Sequence, residues 1–176
     1  MKRRAAIQRL VIVAGGFALV PSCLQQPGKA SIALKLIEVT DVQEHLLAAV
    51  ASAIIPATDT PGAGDLGCHL FALKMLDDCY EKEEQQQFMR GLNDLELYAK
   101  KKFSHSFAAC TEKQQQEILG DIEEKKENGG DIAAFYKIMK EKTLRGYLTS
   151  KYVLTNINKY EFIPLEKYNG YAPVKQ

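Results

Sequence analysis

Helix punctuation constrains this chain more than any other feature. Thr40-Asp41-Val42-Gln43 and Thr111-Glu112-Lys113-Gln114 both place a Thr three residues before a Gln. That spacing lets the hydroxyl and the amide side chain satisfy two free backbone donors at a helix start. After the first box, Val42, Leu46, Leu47, Val50 and Ile54 recur on one helical face until Pro56. A turn-rich stretch, Pro56 to Gly64, follows, with Asp59 and Thr60 available as caps for a second helix through Leu66, Leu70, Leu73, Met75 and Leu76. The polar run Glu81 to Gln87 opens a third helix carrying Phe88, Leu92, Leu95 and Tyr98, and Phe103 to Cys110 interrupts the pattern. The second box starts a fourth helix with Ile118, Leu119 and Ile122, closed by Asn128-Gly129-Gly130. Asp131 is placed to cap a fifth, with Ile132, Phe135, Tyr136, Met139 and Tyr147 inward. Alternating strand patterns are nearly absent. The expected fold is all-α: about five helices in a compact orthogonal bundle, with an irregular Tyr-rich C-terminal tail from Lys151 to Gln176.

The first 22 residues have a different texture. Lys2-Arg3-Arg4 is a basic start, and the apolar run Leu10 to Val20 is too short to span a bilayer but suits a signal peptide. Val20-Pro21-Ser22-Cys23 then reads as a lipobox, with the Cys23 thiol as the lipid acceptor. The alternatives are an uncleaved apolar helix, or an ordinary signal peptide that leaves Cys23 a thiol. Arg3-Arg4 raises the twin-arginine route, which carries folded cargo, although Lys2 and Ala6 depart from its usual pattern. The expected organisation is a signal peptide over 1–22, lipid attachment and tether over 23–39, and a helical domain over 40–176. The expected location is the periplasmic side of a bacterial envelope, held there by the lipid.

The formal charge of +1 hides this division. The first 22 residues hold four basic groups and no acid, which leaves 19 Lys+Arg against 22 Asp+Glu in the rest, a net of −3. That balance argues against nucleic-acid binding, which needs clustered cations on phosphates. No phosphate, nucleotide or flavin motif is present, because Gly62-Ala63-Gly64 lacks the strand and third glycine of a dinucleotide turn. His45, His69 and His105 do not stand in metal-ligand spacing, and adjacent Cys68 and His69 diverge on a helix. No catalytic, cofactor or metal residue is therefore expected in this chain. Cys68 and Cys79 lie roughly 16 Å apart along a helix, beyond disulfide reach. Cys110 remains as a partner for either, with the leftover thiol free or paired to another chain.

Ala53-Ile-Ile-Pro56-Ala-Thr-Asp59-Thr-Pro61-Gly62-Ala63, followed by Gly67, resembles a segment of the gluconate 2-dehydrogenase subunit 3 family. Glu83 to Phe88 with Gly91-Leu92, Thr111 to Gln116, Thr143 to Ser150 and Tyr168 to Tyr171 add to the likeness, which spans about residue 40 to the end. Tyr171 stands where many relatives carry Cys, so no disulfide is carried over at that position. The resemblance implies a cofactor-free small subunit beside a large flavoprotein of the glucose-methanol-choline type. The large subunit would hold FAD and oxidise a sugar or polyol, passing electrons to a cytochrome or iron–sulfur centre. A stand-alone helical envelope lipoprotein is the alternative. The expected partner surface combines the loop residues Pro56, Asp59, Pro61 and Gly62 with the tail aromatics Tyr160, Phe162, Tyr168 and Tyr171; the alternative, compatible with it, is a tail that folds back over the domain's own helices.

Overall fold

A computed structural model describes residues 28–124 and 130–160. Five α-helices form, and no strand occurs among the described residues: α1 Asp41–Ile54, α2 Cys68–Cys79, α3 Lys82–Phe103, α4 Glu112–Glu124 and α5 Gly130–Leu148. A 3-10 turn, Phe107–Ala109, bridges α3 and α4, and a π-helical turn, Val153–Ile157, follows α5. The all-α expectation holds, and so do both capping boxes. Thr40 Oγ1 accepts from Gln43 N at 3.2 Å while Gln43 Oε1 accepts from Thr40 N at 3.0 Å. Gln114 Oε1 accepts from Thr111 N at 2.9 Å at the start of α4. Glu84 does the same for Glu81 N ahead of α3, at 3.2 Å.

The hub of the bundle is α5, which packs most extensively on α3 and α2. Its contact with α3 depends on Gly91. A Cβ there would lie 2.2 Å from the Asp131 carbonyl and 2.4 Å from Phe135 Cβ, so only a glycine lets the two backbones meet. Just beside it, Phe88 and Phe135 meet with ring centroids 4.8 Å apart, tilted by 58°. Leu47, Val50, Leu73, Leu76, Leu92, Leu95, Phe107, Ile118 and Met139 complete a core with no exposed surface. Burying each such side chain contributes about 1.5–3 kcal/mol.

A second tie is polar. The Asp77 carboxylate, wholly buried near the end of α2, accepts from the backbone N–H groups of Lys35, Leu36 and Ile37 at 2.8, 2.7 and 3.1 Å. It thereby fixes the non-helical segment ahead of α1 onto α2. Gln85 then donates to the carbonyls of Leu76, Asp77 and Tyr80, closing the α2–α3 corner.

Four local expectations change. Val42 is 72 % exposed, because nothing covers the first turn of α1 and the buried stripe begins at Leu46. Asp59 and Thr60 do not cap α2, which starts after Gly67 in a left-handed conformation (φ 66°). Asp131 is not an N-cap, since α5 already includes Gly130. Its carboxylate instead receives Arg90 Nε at 2.6 Å and Gln87 Nε2 at 3.1 Å from α3. The tail does not lose helical structure at Lys151. Leu154 N bonds the Ser150 carbonyl, Asn158 N that of Val153, and Val153 is buried.

Gly91→Ala should therefore destabilise the fold by about 1–3 kcal/mol, because the added methyl meets backbone that cannot withdraw. Gly120→Ala, in α4 with nothing within 4 Å of its Cβ, should instead gain up to about 1 kcal/mol from helix propensity. Thermal unfolding of the two variants checks the opposite signs.

Burial pushes the Asp77 carboxyl up, but the three amides and the Lys74 ammonium outweigh it and hold the group below its ordinary range. Its folded value is below the unfolded one. The stabilisation is thus complete above about pH 4 and is lost as pH falls through the folded value. Asp77→Ala should cost about 3 kcal/mol and flatten the acid limb of a stability–pH curve measured by urea unfolding.

Candidate partner interface

The chemistry-bearing side chains of the described region do not assemble into a reaction centre. Cys68 is buried and its thiol is pushed up by that burial, so it is protonated at neutral pH. Burial pushes His69 down; Glu44 opposes this and His45 reinforces it. Its Nδ1 has no hydrogen-bond partner. A protonated thiol next to a neutral, buried imidazole is not an activated nucleophile–base pair. Among the described residues no cluster of three or more His, Cys, Asp or Glu is suited to a metal ion, and no helix is long and apolar enough to cross a membrane. Cys68, Cys79 and Cys110 are all free thiols, the first and third buried and Cys79 exposed. Burial also raises Cys110. An open groove of about 500 Å³ runs between α1 and the 3-10 turn, lined by His45, Ser52 and Ser106 among alanines and Gly64.

The loop between α1 and α2 is built with care. Ala63 N returns to the Ile55 carbonyl at 2.9 Å, Cys68 N takes the Ala63 carbonyl at 3.0 Å, and the Asp65 carboxylate accepts from Gly62 N at 2.9 Å. A Cβ on Gly62 would stand 2.6 Å from Ala57 N and 2.9 Å from the Ile55 carbonyl, and one on Gly64 2.1 Å from Ser52 Oγ. The two glycines let the loop fold tightly on itself and on α1. Of the loop residues expected at a partner surface, Pro56 and Asp59 are exposed, Pro61 is half-buried, and Gly62 is buried inside the turn.

One contact connects this loop to the other end of the chain. The Thr60 hydroxyl lies 3.4 Å from the Tyr147 hydroxyl on α5. The backbone then continues through the π turn to Tyr160, which is 57 % exposed. The structure thus brings the Pro56–Pro61 loop onto the helix that leads to Tyr160. Phe162, Tyr168 and Tyr171, like Arg3, Arg4 and Cys23, lie outside the described residues. Sequence reasoning passed over Leu144 and Leu148, 41 % and 60 % exposed on the same helix. Their i, i+4 spacing, off the inward set ending at Tyr147, was the available signal.

The described residues form an all-α domain with a glycine-tightened loop beside the end of α5, a fold that does not by itself fix a function. The chain is a member of the gluconate 2-dehydrogenase subunit 3 family, whose sequence model matches residues 41–165, from the first residue of α1 to beyond the π turn. No curated protein and no solved structure matches it in the comparisons made.

Gly62→Ala should lower stability by about 1–3 kcal/mol, since its methyl meets backbone rather than a movable side chain. Pro56→Ala and Asp59→Ala, at exposed positions, should stay within about 0.5 kcal/mol. Chemical unfolding of the three variants separates residues that build the loop from those it presents.

Proposed function

We propose that this chain is the non-catalytic small subunit of a periplasmic, FAD-dependent dehydrogenase of the glucose-methanol-choline type, acting on a sugar or polyol such as gluconate. Membership of the subunit 3 family carries the reading. The FAD belongs to the large partner subunit, which passes electrons on to a cytochrome or iron–sulfur acceptor. The small subunit assists export, assembly and anchoring.

The physical case for export is simple. Flavin is inserted in the cytoplasm, so the catalytic subunit crosses the membrane folded and requires a carrier that binds it tightly. Arg3-Arg4 supplies a twin-arginine signal and Cys23 the lipid attachment. Several acyl chains on Cys23 make a durable anchor, since each buried CH₂ contributes about 0.8 kcal/mol. The partner surface combines the loop at Pro56 and Asp59 with Tyr160 and the aromatic residues that follow it.

Affinity purification of the full-length protein from its own host should yield a large second subunit and the visible absorbance of bound flavin. An eluate without flavin, or a chain active on sugars alone, would overturn the reading. Deletion of 161–176 should at least halve the flavin recovered per subunit, and Cys23→Ser should move the complex from the membrane to the soluble fraction.

A further inference from the structure

Exposed apolar surface is unevenly distributed on this protein. Of the seven large hydrophobic side chains with substantial exposure among the described residues, Leu144, Leu148, Ile157 and Tyr160 fall within one stretch of 17 residues. Leu36, Val42 and Leu97 are scattered over other elements, which is ordinary for a protein surface. Leu144 and Leu148 are neighbours on α5, one turn apart. Tyr147, the residue that holds the Pro56–Pro61 loop through Thr60, sits beside them on the same helix.

Charge is distributed in the same way. From residue 137 to 160 the chain carries Lys137, Lys140, Lys142, Arg145, Lys151 and Lys159 against a single acid, Glu141. The other described residues hold 18 acids and nine bases. Lys140 is paired with Glu123 and Lys142 with Glu141. Arg145, Lys151 and Lys159 are exposed and make no ion pair among the described residues. Six cations against one acid near exposed leucines, with Arg145 close to Glu141 only electrostatically and Lys151 and Lys159 in no ion pair among the described residues, favour an external surface of opposite sign.

We propose that the outer face of α5 and the π turn is the centre of the docking surface, and that its occupant is a partner protein presenting an apolar patch ringed by carboxylates. Leu144 and Leu148 form the apolar centre; Arg145, Lys151 and Lys159 form the rim. This rests on the reading of the chain as a subunit and adds the surface and the partner's chemistry to it. A protein fits this face better than a lipid headgroup layer. The adjoining loop and the exposed Thr155, Asn156 and Asn158 offer uncharged hydrogen-bonding groups, as interface rims do.

The test compares full-length proteins purified from the native host by the flavin recovered per subunit. Leu144→Glu with Leu148→Glu should lower that ratio at least tenfold, and Leu144→Ala with Leu148→Ala should lower it without adding charge. Leu97→Glu, on α3, should leave it unchanged. The wild-type complex should weaken as salt rises, and Arg145→Glu with Lys151→Glu should weaken it at low salt and remove that salt dependence. Helical circular dichroism and melting temperature should stay near wild type in every variant, because the altered side chains are exposed.

Full flavin recovery by both leucine pairs overturns the surface and leaves the subunit reading standing. A wild-type eluate without flavoprotein overturns both. Two further results assign the face elsewhere and likewise overturn the proposal. One is wild-type binding to phosphatidylglycerol vesicles that the leucine changes abolish while flavin recovery persists. The other is a wild-type homodimer in sedimentation that the same changes dissociate.

Discussion

The contact of α3 with α5 at Gly91 is the constraint on which the rest of the structure depends. Because no side chain intervenes, the Asp131 carbonyl and Phe135 come against the α3 backbone, and Phe88 can meet Phe135 in a tilted ring contact. Arg90 and Gln87, on either side of the ring contact, hold the Asp131 carboxylate at the same crossing. With α5 so placed, its remaining length runs over α2, where a Cβ on Gly146 would stand only 3.0 Å from the Phe71 ring. Two glycines on different helices thus fix where one helix lies. Close packing makes Gly91, where a Cβ would meet backbone at 2.2 Å, intolerant of a single methyl group.

The Asp77 node does a different job with a different force. It joins a stretch with no helical hydrogen bonds of its own to the bundle, giving the N–H groups of Lys35 to Ile37 a buried acceptor. A buried carboxylate is tolerated only when donors surround it, and here three amides and Lys74 do. The consequence is that the chain leading into α1 is held against α2 rather than trailing from it. Whatever precedes residue 28 is therefore connected to the body through an anchored segment.

The core and the proposed docking face share α5. One side of the helix carries Phe135, Met139 and Thr143 into the core, and the other presents Leu144, Arg145 and Leu148 to solvent. A helix locked by its inner face offers a preorganised outer face, and preorganisation lowers the entropy cost of association. The α1–α2 loop shares the logic. Its inward glycines and Asp65 hold the turn, while Pro56 and Asp59 face outward.

The sequence by itself determined the helices, because capping boxes and apolar periodicity are local and obey backbone geometry. Thr40 to Gln43 and Thr111 to Gln114 behave as their spacing requires, and Leu46, Phe88, Ile118 and Phe135 are buried as their periods require. The family resemblance of the Ala53–Ala63 stretch was legible for the same reason: it is a continuous string. Only tertiary structure decided which polar side chain served which helix. Asp131 turned from cap to cross-link because Arg90 stood opposite, and Val42 stayed exposed because no neighbour reached the first turn of α1. It also decided that Thr60 and Tyr147, 87 residues apart, would meet and so join the loop to the exposed leucines of α5. Periodicity says which residues share a face, but not which face another element covers, because that depends on contacts between residues distant in the chain.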